Sequence, residues 1–107
     1  MPRRDADLLV EDMLAAIRKI EQYTEGMEEG QFLEDPKTID AVVRNLEIVG
    51  EATRRLPEDF VARFPDVPWH QMAGLRNRIV HYFGLDLEII WQILRFDLPQ
   101  LRRRLEG

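Results

Sequence analysis

Apolar residues recur at steps of three and four through almost the whole of this chain, and that spacing restricts it to packed amphipathic helices. From Asp7 to about Tyr23 the positions Leu9, Met13, Ala16, Ile17, Ile20 and Tyr23 form one stripe. Thr24 to Pro36 is polar and contains glycine, with Phe32-Leu33 expected to pack as a short turn. A second helix is expected from near Lys37, with Ile39, Val42, Leu46, Val49 and Ala52 on one side. Val43 and Ile48 widen its apolar arc enough for contact on two sides. Leu56-Pro57 ends it, Pro57-Glu58-Asp59 restarts a short helix through Phe64, and Pro65 and Pro68 bracket a turn. A third helix opens at Pro68 or Trp69, turns Met72, Leu75, Ile79 and Phe83 to the core, and stops at Gly84. Asp86 is the expected N-cap of a fourth helix carrying Leu87, Ile90, Trp91 and Leu94. Asp97-Leu98-Pro99 marks a kink or a fresh start, and Leu98, Leu101 and Leu105 continue the stripe. No strand signal and no internal repeat is visible. The expectation is an all-α, antiparallel four-helix bundle with a short additional helix, forming one domain over residues 1–107.

Composition narrows the chemistry. There is no cysteine, which excludes disulfides, thiol catalysis and thiolate metal sites and agrees with a reducing compartment. No apolar run approaches the roughly 18–20 residues of a membrane span, and Met1 to Asp7 has charge but no apolar core. A soluble, cytoplasmic protein is expected. The net charge of −5 argues against a general nucleic-acid coat protein. Acidic residues crowd Glu25 to Asp35, however, while basic ones gather at Arg54-Arg55, Arg76/Arg78 and Arg102-Arg103-Arg104, so a local positive cleft is compatible with the acidic total. The last cluster reads more simply as a solvated helix end.

Arg76-Asn77-Arg78-Ile79-Val80-His81-Tyr82-Phe83-Gly84 is the segment richest in chemistry. Arginine holds phosphate oxygens through a planar fork of donors and keeps its charge. Histidine both takes and gives a proton near neutrality. On one helix Asn77 and His81 would share a face, with Arg76 about 140° round from His81. RNA cleavage by the neighbouring 2′-hydroxyl needs one proton removed, another supplied to the leaving oxygen, and an anionic phosphorus centre stabilised. One imidazole does not readily do both. A two-fold dimer that brought two copies of His81 and Arg76 into one cleft would supply the missing group. The only other histidine, His70, sits beside Trp69 and reads as structural, and both tryptophans read as core or interface anchors. No metal-ligand spacing and no glycine-rich nucleotide loop is present, so neither metal nor cofactor is expected.

The runs Ala41-Val42-Val43-Arg44-Asn45-Leu46-Glu47-Ile48-Val49-Gly50-Glu51-Ala52, Pro68-Trp69, Gly74-Leu75-Arg76-Asn77-Arg78-Ile79-Val80-His81 and Phe83-Gly84-Leu85-Asp86-Leu87-Glu88-Ile89-Ile90-Trp91 resemble, in order and spacing from about Leu8 to Leu105, the HepT-type toxins of the HEPN ribonuclease family. The resemblance implies a metal-independent endoribonuclease toxin of a type II toxin–antitoxin system, with a composite site across a homodimer. Arg76 would bind phosphate, Asn77 orient groups around it, and His81 transfer protons. The implied partner is a nucleotidyltransferase antitoxin that neutralises by adenylylation or by binding. Glu51, placed on the adjacent helix by the same resemblance, would orient Arg76 or raise the pKa of His81. Simpler roles stay open: Arg76 as an ion-pair partner of Glu47 or Glu51, Asn77 as a surface amide, His81 as a histidine favoured by a helix C-terminus, and Gly50-Glu51-Ala52 as helix packing.

One departure matters. The family runs Arg-x4-His-x-Tyr before Phe-Gly, with the tyrosine as the target of adenylylation, whereas here Tyr82 directly succeeds His81. On a continuous helix the missing residue rotates the rest of the helix by about 100°. A non-catalytic helical module that partners a nucleotidyltransferase is therefore the alternative.

Overall fold

The computed structural model describes residues 3–81 and 84–107; the side chains of Arg3, Arg4 and His81 lie outside the description. Helices dominate, as the apolar spacing requires. Helix α1, Arg3–Tyr23, buries Ala6, Leu9, Met13, Ala16, Ile17 and Ile20. Tyr23, expected on the same stripe, is exposed where the helix runs past the core. The stretch expected as a turn forms a short helix, α2, Glu29–Leu33, whose Phe32 is fully buried with its ring 5.3 Å from that of Trp91. Helix α3, Pro36–Arg54, begins at Asp35, whose carboxylate accepts from the Thr38 amide at 3.1 Å and from the Thr38 hydroxyl at 2.8 Å. Those bonds, the amide first, hold the Asp35 pKa below its ordinary value. α3 is the central element, packing against α1 and α2 and against elements later in the chain.

Around α4, Glu58–Ala62, the rings of Phe60 and Phe64 each meet Trp69 edge to face, and the Trp69 indole donates to the Phe64 carbonyl at 2.9 Å. The expected third helix comes in two pieces, α5, Trp69–Ala73, and α6, Leu75–Ile79. Met72, Leu75 and Ile79 are buried as expected, while Phe83 lies outside the described residues. Two expectations are corrected here. The helix does not run to Gly84, and there is a strand pair: β1, Val80–His81, and β2, Gly84–Leu85, join antiparallel with His81 opposite Gly84. Ile79-Val80 opens a β-branched and aromatic run that favours extended backbone. The Ile79 carbonyl accepts from the Asp86 amide at 2.8 Å, which adds a further bond at the end of the strand pair. Gly84, at φ +134°, occupies backbone that other residues rarely adopt.

Asp86 caps α7, Leu87–Gln92, accepting from the Ile89 amide at 3.1 Å, as expected. The kink expected at Pro99 is a π-helical segment, Ile93–Asp97, leading into α8, Leu98–Glu106, with the Leu98 amide bonded to the Ile93 carbonyl five residues back. Widening the turn relieves the clash between the proline ring and the carbonyl four residues behind. Leu98 and Leu101 return to the core. Arg102 pairs with Glu21 of α1 at 3.0 Å, and that carboxylate raises the guanidinium pKa above its ordinary value. Arg104 pairs with Asp66 at 3.0 Å, so two members of the terminal arginine cluster are ion-paired rather than freely solvated. No helix among the described residues is long and apolar enough to cross a membrane.

Helices α3 and α5 approach closely at Gly50, where an added Cβ would meet the Met72 carbonyl oxygen at 3.3 Å and the Leu75 Cβ at 3.6 Å. Gly50→Leu should therefore force the helices apart and cost about 1–3 kcal/mol, read as a lowered midpoint in urea unfolding. Asp35→Ala tests the cap of α3. Because the folded-state pKa is depressed, the stabilising effect is present above the ordinary carboxylate pKa and is lost as pH falls through the lower folded value. The wild-type and Asp35→Ala unfolding midpoints should differ at neutral pH and converge in acid.

Candidate active site

Arg44, Glu47, Ile48, Glu51 and Arg54 succeed one another along α3 at steps of three, one, three and three, so they share a single helix face. It is the face turned away from the buried Val42, Asn45, Leu46, Val49 and Thr53, and all five residues are exposed. Opposite stand Ala73 at the end of α5 and Arg76 in α6. Together with Gly50 these residues line an open cleft of about 350 Å³. Ile48, expected to pack on a second side of α3, is an apolar patch in this cleft instead, 37% exposed.

Arg54 bridges the two walls. Its Nε donates to the Ala73 carbonyl at 2.9 Å, satisfying an acceptor that the short helix α5 leaves open at its C-terminus. Arg44, Glu47, Glu51, Arg54 and Arg76 make no ion pair among the described residues, although three guanidinium groups and two carboxylates line one concavity. Arg18, Arg78, Arg102 and Arg104 behave otherwise, each holding a carboxylate at 3.0–3.2 Å. Two near neighbours differ most plainly: Arg78 is half-buried and tied to Asp97, whereas Arg76 is exposed and available.

Of the site residues expected from the sequence, Arg76 and Glu51 line the same cleft, and Glu47 with them, but neither carboxylate lies within ion-pair distance of Arg76. The simple ion-pair role for Arg76 is not what the structure shows. Asn77 is exposed in the last turn of α6. The shared helical face expected for Asn77 and His81 does not exist, because α6 ends at Ile79 and the His81 backbone is in β1. The His81 side chain and Tyr82 lie outside the described residues. His70 is exposed in the first turn of α5, and Trp69 and Trp91 are buried, so the tryptophans are core residues. Gly50 serves helix packing, as the simpler reading of its run had it. Among the described residues no three His, Asp or Glu side chains converge as metal ligands. The sequence offers Glu47 only as an ion-pair partner of Arg76 and Arg54 only as part of a basic cluster, and does not single out Arg44, although the i, i+3, i+7, i+10 spacing of Arg44, Glu47, Glu51 and Arg54 is there to be seen.

Comparison with known proteins places this geometry in a family. Residues 13–107 match the family model described as ribonuclease HepT-like. A Methanocaldococcus jannaschii protein named as an RNase is 42% identical over 107 residues, covering 99% of this chain and 88% of its own. A Thermococcus cleftensis protein named as a ribonuclease HepT is 41% identical over 107 residues, covering 99% and 96%. Both names are provisional assignments. No solved structure gives a significant match. The chain belongs to the HepT-like ribonuclease family, and its all-α fold is the helical fold of that family.

Proposed function

We propose that this chain is a metal-independent endoribonuclease toxin of a type II toxin–antitoxin pair, working in the cytoplasm as a homodimer with a composite active site. The observation that carries this reading is the cleft in which Arg76 faces Glu51 and makes no ion pair among the described residues, in a member of a ribonuclease family. A guanidinium free of protein carboxylates is available for a phosphate oxygen. Arg76 holds the scissile phosphate and stabilises the crowded anionic phosphorus. Asn77 orients groups beside it, Glu51 supports the guanidinium electrostatically from across the cleft, and His81 moves protons, one copy as base and the partner's copy as acid. The break between Ala73 and Leu75 and the end of α6 at Ile79 put Arg76 and Asn77 on the exposed side of a short helix rather than within a long rod. That favours access by a polymer and by a second protomer.

Purified protein should cleave single-stranded RNA in EDTA and sediment as two chains. Arg76→Ala and His81→Ala should each lower the cleavage rate at least about 100-fold, while His70→Ala leaves it unchanged. A folded protein that leaves RNA intact at high concentration, or a stable micromolar monomer that still cleaves, would sink the composite site.

The proposed antitoxin is a nucleotidyltransferase that adds AMP to Tyr82. The added phosphate would bring negative charge to the motif where Arg76 receives RNA, and like charge would exclude the substrate. Co-expression and then intact-mass measurement should show one added AMP per chain in wild type and none in Tyr82→Phe. No mass increase with a demonstrably active nucleotidyltransferase would leave inhibition by binding.

A further inference from the structure

We infer that the α3 face of the cleft is a nucleotide subsite flanking the scissile phosphate, in which Arg44 binds the adjacent phosphate and Glu47 accepts hydrogen bonds from the sugar or base of the same nucleotide. The cleft does not end at Arg76 and Glu51. Arg44 lies seven residues before Glu51 on the same helix face, about 10 Å away at the α-helical rise, and it enters the cleft from α3 whereas Arg76 enters it from α6. Both arginines nevertheless line one continuous concavity of about 350 Å³ and neither is ion-paired among the described residues. Two separated cations in one groove suit successive charges of a chain rather than a single small anion.

The carboxylates decide what lies between. A phosphate against Glu47 would meet like charge, and an ionised carboxylate only accepts hydrogen bonds. The ligand must therefore turn donors toward Glu47 while its phosphate faces Arg44. A ribonucleotide has both, since its 2′-hydroxyl and the amino and imino groups of its bases are donors. Ile48, exposed between Glu47 and Glu51, offers an apolar surface to the face of a sugar or base. Arg54, fastened to the Ala73 carbonyl, sets the width of the groove rather than moving with the ligand. Arg44 and Glu47 are thus binding and positioning residues, and they come into play if RNA is the substrate of this cleft, as proposed above.

The test measures binding and cleavage separately. Short fluorescent single-stranded RNAs are titrated against His81→Ala protein, alone and combined with Arg44→Ala, Arg44→Lys or Glu47→Gln, across a salt series; cleavage rates are measured with His81 restored. Arg44→Ala should weaken binding about fivefold or more and lower the salt slope by about 0.7, with the slope recovered in Arg44→Lys. Glu47→Gln removes no cation, so it should leave the salt slope in place and instead change discrimination. A reduced preference for RNA over the 2′-deoxy oligonucleotide identifies the ribose hydroxyl as the donor, and a changed ranking of homopolymers identifies the base. If the His81-restored protein cleaves RNA while Arg44→Ala binds with unchanged affinity and salt slope, the subsite is overturned and the ribonuclease reading stands. If neither binding nor cleavage is seen in folded protein, the ribonuclease reading itself falls.

Discussion

The contact between α3 and α5 at Gly50 is the constraint on which the functional geometry depends. A Cβ there would press on the Met72 carbonyl at 3.3 Å, so the absence of a side chain sets how near the two helices can lie. That separation brings Ala73 within reach of the Arg54 guanidinium and puts Arg76 across the groove from Glu47 and Glu51. The core supports the arrangement from below through Val49, Met72 and Leu75, all essentially inaccessible to solvent. Packing fixes the floor of the cleft, and the exposed face of α3 supplies its chemistry.

The two arginines of the Arg76-Asn77-Arg78 run show how position on a short helix divides labour. Arg78 is half-buried and commits its charge to Asp97, linking α6 to the π-helical segment of the last rod. Arg76 lines the cleft and makes no ion pair among the described residues. Exposed ion pairs contribute only up to about 1 kcal/mol each, so leaving the cleft charges unpaired sacrifices little stability. The concentrated field they retain is useful to a protein whose net charge would otherwise repel RNA.

Much of the helical framework was legible because burial on helices leaves a periodic record. The stripes of α1, α3 and α7 to α8, the Asp86 cap and the disturbance at Pro99 are all visible in residue spacing. The end of the third helix was not. Met72, Leu75 and Ile79 fit a helical stripe that Phe83 prolongs on paper, and this hid the extended backbone that starts at Val80. The competing signal was the run from Ile79 to Phe83, β-branched and aromatic and ending in glycine, which is how a hairpin announces itself. Arg76 stands out in the sequence by its chemistry and Glu51 by the family resemblance, whereas Glu47 reads as an ion-pair partner of Arg76 and Arg44 as one more charge solvating an exposed helix face. Only the wall opposite, formed by Ala73 and Arg76, turns that face into the side of a cleft.

The π-helical segment at Ile93–Asp97 gives the last rod a property that neither neighbouring helix has alone. Its wider turn takes up an extra residue without interrupting the backbone ladder, and so lets two differently phased apolar stripes belong to one continuous helix. The front half meets Phe32 through Trp91, and the rear half lies on α1 through α8. An ordinary α-turn in its place would rotate everything beyond by about 100° and carry Leu98 and Leu101 off the core. The segment therefore works as a phase adapter, allowing the two ends of the rod to adjust to separate partners while the chain between them stays helical.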